Sequence, residues 1–195
     1  MSARGGHRRV VRAMRDDIED FARVAGVRPL AGEALPWGPA SAAVDVALPA
    51  DYRAFVDAFG PGELYGRLAV GTPGPLRDGS DGTAALRAYL ADATTLCDAL
   101  RGLRLEYPDA FPYPFHPEPG GLLPWGGGIG GEQLFWLRRP GTAPEEWPVV
   151  VWDKAQWREY PPGMVTLMRL TASGADDFLR ALFYDADAPV WTPRD

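Results

Sequence analysis

The chain predicts an α+β fold, a single domain in which a mostly antiparallel β-sheet is packed by helices. Three observations carry that expectation. Four apolar runs, at 133–138, 147–152, 157–160 and 165–170, succeed one another across short turns, the pattern of an antiparallel meander. Two stretches, 48–59 and 80–103, carry apolar residues at helical spacing. Four of the seven tryptophans lie between Gly121 and Asp153, where two apolar runs flank a Pro/Gly-rich turn behind a glycine-rich loop, and this places the centre of the sheet there. At 195 residues the chain can bury a core without disulfide or metal staples.

In chain order, residues 1–15 are basic and lack an apolar face, and are expected to form a disordered arm. A translation start at Met14 is the alternative for residues 1–13, and mass spectrometry of the native N-terminus decides between them. Asp16 and Asp17 open a helix with Ile18, Phe21, Ala22 and Ala25 on one face, ended by Gly26. The segment 26–39, with Pro29, Pro36 and Pro39, is a connector pinned by Trp37. Pro49 suits the first turn of the next helix, where its missing N–H costs nothing. Leu48, Tyr52, Phe55, Val56 and Phe59 form the buried face of that helix, and Gly60-Pro61-Gly62 stops it.

Residues 63–70 alternate Leu64, Gly66, Leu68 and Val70 on one side and predict a short strand, followed by a loop over 72–79. Ser80 or Asp81 caps a long helix through about Leu103, with a continuous stripe formed by Leu86, Tyr89, Leu90, Ala93, Leu96, Cys97, Leu100 and Leu103. Five prolines between Tyr107 and Pro119 stiffen an aromatic segment that holds Phe111, Tyr113, Phe115 and His116 and is expected to pack over the sheet. After the four strands Ser173 caps a last helix, with Asp176 and Asp177 in its first turn and Phe178, Leu179, Leu182 and Phe183 docking it. Residues 185–195 are expected to be a frayed tail apart from Trp191. The domain so defined spans 16–184.

The formal charge is −6, and Arg4, Arg8, Arg9, Arg12 and Arg15 precede any acid, so the chain from Asp16 onward carries −11. An acidic body disfavours nucleic acid as a partner and suits a basic protein, because complementary potentials speed association. No run approaches the ~18 apolar residues of a membrane span, and no secretory apolar segment opens the chain, so no membrane partner and a cytoplasmic location are expected. A lone cysteine, Cys97, sits among leucines as a small buried hydrophobe and fits a reducing compartment.

Candidate chemistry is sparse. Gly126, Gly128 and Gly131 satisfy the bare G-x-G-x-x-G pattern, but Pro124 and Trp125 precede it and a strand-like run follows where a dinucleotide site needs a helix, so the glycines are expected to form an open loop between strands. With only His7, His116 and Cys97 there is no soft-ligand set for a metal, and no cofactor is expected. His116 is the one imidazole that could serve as a catalytic base, and no Gly-x-Ser-x-Gly turn accompanies it. No catalytic residue is assigned, and the chain is not expected to be an enzyme.

The order of features at 48–62 (LPADYRAFVDAFGPG), 114–126 (PFHPEPGGLLPWG), 134–151 (LFWLRRPGTAPEEWPVVV) and 176–183 (DDFLRALF) resembles the SUKH superfamily, which contains the yeast Smi/Knr cell-wall regulators and many bacterial immunity proteins. The resemblance spans about 37–183. It implies a helix-packed antiparallel sheet and a binding role: stoichiometric neutralisation of a toxin encoded nearby, often a nuclease. A regulatory scaffold without a toxin is the alternative. The chain departs from the family in its glycine run at 126–131 and in the variable region 72–104, so specificity does not transfer through either. On the immunity reading, the acids on loops or strand ends around the sheet are the candidate contacts: Glu118, Glu132, Glu145, Glu146 and Asp153.

Overall fold

The structure, a computed structural model, describes residues 15–30, 35–44, 46–73 and 82–194. In chain order the elements are α1 (15–25), α2 (Trp37–Val44), α3 (Ala50–Phe59), β1 (Gly62–Leu64), β2 (Leu68–Val70), α4 (Thr83–Glu106), β3 (Leu122–Gly128), β4 (Gln133–Leu137), a 3-10 turn (Pro144–Glu146), β5 (Pro148–Trp152), β6 (Trp157–Pro162), α5 (Met164–Ser173), α6 (Asp177–Phe183) and β7 (Trp191–Pro193). The seven strands make one antiparallel sheet in the order β6-β5-β4-β3-β2-β1-β7. The α+β expectation therefore holds, and the tryptophan-rich stretch supplies β3, the middle strand, together with β4 and β5.

Strand alternation divides the core in two. Leu123, Trp125, Leu134, Trp136, Val149 and Val151 face the larger cluster, where α1, α3, α5, α6 and the first half of α4 pack. Leu122, Phe135 and Val150 face the opposite way, onto Cys97 and Leu100 of α4 and onto Phe111 and Phe115 of the proline-rich segment. One helix thus serves both faces: Leu86, Tyr89 and Ala93 belong to the first cluster, Cys97 and Leu100 to the second. Each fully buried large apolar side chain contributes about 1.5–3 kcal/mol. Phe21 of α1 sits edge-on to both Phe55 and Phe59 at 5.1 Å between centroids, so α1 is docked by aromatic contacts onto α3.

Several expectations are corrected. Residues 63–70 form two strands, β1 and β2, because Tyr65 (φ 54) and Gly66 (φ 63) adopt left-handed backbone and reverse the chain between Leu64 and Leu68. Trp37 is buried as expected but starts helix α2 instead of ending a connector. The glycines at 126–128 are not a loop; they are the second half of β3, paired with β2 on one side and, through Gly126 and Gly127, with β4 on the other. The run 165–170 is helical: once Met164, Met168, Thr171 and Ala172 are included, the buried positions recur at 3.6-residue spacing, and Gly163 and left-handed Gly174 bound the element. Ser173 ends α5 and does not cap α6; the cap is Asp176, whose side chain accepts from Leu179 N at 2.9 Å.

The tail is ordered through β7, which pairs with β1 and extends the sheet beyond residue 184. Trp191 drives this, packing edge-on against Phe21 and Phe55. The expected arm lies outside the described residues except for Arg15, which is already helical. The Ser80 or Asp81 cap also lies outside them; α4 begins after left-handed Gly82 and runs to Glu106. Among the described residues no helix is long and apolar enough to cross a membrane.

Candidate functional site

A groove of about 840 Å³ lies between α4 and the glycine half of β3. Its floor follows from strand register. Gly127 pairs with Ala69, Ala69 with Glu63 and Glu63 with Thr192, a row crossing β3, β2, β1 and β7. Leu64, Leu68 and Val70 point into the larger cluster, so this row lies on the opposite face, the one that, among the described residues, α4 and the proline-rich segment cover over β3, β4 and β5. Ala85, Ala88 and Asp92 of α4 form the wall.

On the opposite face of the same strand packing requires glycine: a Cβ on Gly126 would come 3.0 Å from the Ala69 carbonyl of the adjacent strand, and one on Gly128 would meet the Phe183 ring of the larger cluster at 2.9 Å and the Glu132 carboxylate. The inner end is held rigid by three backbone-directed bonds of 2.7 Å: Tyr52 donates to Gly71 O, Tyr89 to Pro124 O, and Gly71 N to Trp125 O. Both tyrosines are buried, and burial raises their phenol pKa values, so they remain neutral donors. At the outer end Arg194 is ion-paired with Glu63, and its N–H donates to Pro61 O at 2.9 Å.

The candidate acids do not converge. Glu132 and Asp153 sit at one end of the sheet, adjacent across the Gln133–Trp152 pair, while Glu118, Glu145 and Glu146 lie at the other end, near Arg138 and the turn before β5. Asp153 is occupied locally, accepting from Ala155 N and Gln156 N at 2.9 and 2.7 Å. Glu146 accepts from Ala143 N at 3.1 Å, and Glu118 pairs with Arg104 at 3.1 Å. Glu132 folds over the backbone of Gly128 and Gly130. Glu145 is exposed at the surface.

His116 is half-buried, with its Nδ1 enclosed and unpartnered. Its backbone N–H donates to Leu122 O at 2.9 Å, and its backbone carbonyl accepts from Arg101. Burial, with Arg138 and Arg101 nearby, lowers the imidazole pKa, so the ring is neutral at physiological pH. Cys97 beneath it is inaccessible, its thiol pushed up to about 11 by burial and donating to Leu122 O at 3.6 Å. A protonated, enclosed thiol is a poor nucleophile.

The residues that form the groove, Ala69, Ala85, Ala88, Asp92 and Arg194, were not singled out from the sequence. The available signal was a small-residue stripe on α4, offset from Leu86, Tyr89 and Ala93, combined with a glycine run that proves to be strand. No family model, curated protein or solved structure matches this chain.

Proposed function

We propose that the protein is a non-catalytic binding domain that neutralises a cognate bacterial toxin, a basic nuclease being the best-suited class, by forming a stoichiometric complex in the cytoplasm. The observation that carries the reading is the acidic body, −11 from Asp16 onward, together with the uneven cover of the sheet: among the described residues, helical cover of one face stops at β3 and leaves a groove of about 840 Å³ beside α4. Surfaces of this size and rigidity lose little entropy on association. The acidic charge supplies long-range attraction to a cationic partner. The SUKH-like order of sequence features supports the same reading.

The test is co-expression of the protein with the product of each flanking gene that is toxic alone. Protection from one of them, with a complex of equal stoichiometry recovered from the same cells, supports the proposal. Undiminished toxicity and no complex with any of them rejects it and favours a regulatory scaffold.

A further inference from the structure

We propose that the proline-rich segment, residues 107–121, is an acid-labile strap: protonation of His116 loosens it from the second face of the sheet while the rest of the fold stays closed. The proposal concerns the fold alone and does not rest on the toxin-binding reading. The segment supplies Phe111 and Phe115 to the smaller cluster, yet it is neither helix nor strand. Beyond Tyr107 its main-chain hydrogen bonds, among the described residues, run within the segment and to Leu122 at its end. The polar ties to the body are made by side chains. Trp157 of β6 donates to Ala110 O at 2.8 Å, Arg101 of α4 donates to His116 O, Arg138 at the end of β4 donates to Glu118 O at 3.3 Å, and Arg104 of α4 pairs with Glu118 at 3.1 Å. A piece held this way, over the smaller of the two clusters, opens at lower cost than the whole fold.

His116 stands where two of these ties meet. Its neutral ring can carry its single proton on Nε2, but the charged ring must carry one on Nδ1 as well, and Nδ1 is enclosed with no acceptor. The charged groups about the ring are Arg101 from α4 and Arg138 from the end of β4, both of the same sign as an imidazolium. No free carboxylate offsets them: Asp98 of α4 is paired with Arg101, and Glu118 of the segment itself with Arg104. Cys97 of α4, beneath the ring, is a neutral thiol. A proton on His116 therefore adds an unsatisfied donor and sets a third cation against the two guanidiniums that hold the carbonyls of His116 and Glu118. Opening the strap hydrates the ring and separates the charges, so acid favours the open form.

The experiment is amide hydrogen exchange on the full-length protein at pH 7.5 and 5.0, with rates corrected for the intrinsic pH dependence of exchange. The N–H groups of His116, Glu118 and Leu122 report on the strap, since they donate to Leu122 O, Phe115 O and Pro114 O at 2.9 Å each, and those of α3 report on the body. Acidification is expected to lower protection of the strap amides about threefold or more relative to α3. His116→Gln, which cannot take the charge, is expected to hold that ratio constant between the two pH values. An equal loss of protection in strap and α3, or the same strap-specific loss in His116→Gln, overturns the proposal. Circular dichroism checks that the variant is folded. If it is not, the native protein decides: a strap-specific loss that follows the His116 imidazole titration seen by NMR supports the proposal, and one with a different midpoint overturns it.

Discussion

Asp51 joins two helices that no local sequence signal connects. It lies in the first turn of α3, where it accepts from Tyr52 N at 2.8 Å, and it also accepts from Val165 N at 3.3 Å. The second bond caps α5, whose own N-cap position is Gly163 and has no side chain to offer. Burial raises the Asp51 pKa above its ordinary 3.8 even though backbone N–H groups oppose the shift. The folded state therefore holds this proton more tightly than the unfolded chain, and the associated stability is present at low pH and lost as pH rises above about 4. Asp51→Ala is expected to cost about 1–2 kcal/mol in urea unfolding at neutral pH. Asp51→Asn keeps an acceptor, and its stability relative to the native protein is expected to improve as pH rises from 4 to 7.

His116 titrates with the opposite sign. Its folded pKa is lowered, so its contribution is present above 6.5 and lost as pH falls. His116→Gln is expected to close part of the stability gap between pH 7.5 and 5.5, read as a smaller drop in unfolding midpoint than the native protein shows. An equal drop would mean that the imidazole is more solvated than its surroundings indicate.

Among the elements, β7 most changes the picture drawn from sequence. A three-residue strand gives no periodicity to read, and Ala188, Pro189 and Pro193 look like a polar, proline-broken end. What orders it is tertiary: Trp191 is 4% exposed and fills the space beside Phe21, Phe55 and Phe59. Gly62 on the paired strand accommodates it, since a Cβ there would enter the indole ring and approach Thr192 O at 2.8 Å. Trp191→Ala is expected to destabilise by about 3–5 kcal/mol in chemical unfolding, the range for a large core aromatic. A loss below about 1 kcal/mol would show that β7 is not integral to the sheet.

The helices with long apolar stripes, α3 and α4, and the strands β4, β5 and β6 were legible because their periodicity is local. α5 was misread because Val165 and Leu167 alternate like a strand, and only the residues outside that window restore the helical period. The groove was illegible for a different reason. It is formed by what small residues leave empty, and register across four strands, which no local pattern encodes, aligns Gly127, Ala69, Glu63 and Thr192.

At the scale of the whole molecule the sequence sets an acidic body, and the described residues close one sheet face with helices and cover the other over β3, β4 and β5. The outer edge strand β6 carries Arg158 and Glu159 and ends in Pro161-Pro162, features that discourage pairing with another sheet and leave the faces as the surfaces for a partner. The most direct measurement of the central claim is calorimetric titration of the protein, at two salt concentrations, with the inactivated product of any flanking gene found to be toxic alone. The account predicts one-to-one binding with nanomolar affinity that weakens as salt rises. Absence of heat at any salt concentration, with the toxin folded and the protein intact, would contradict it.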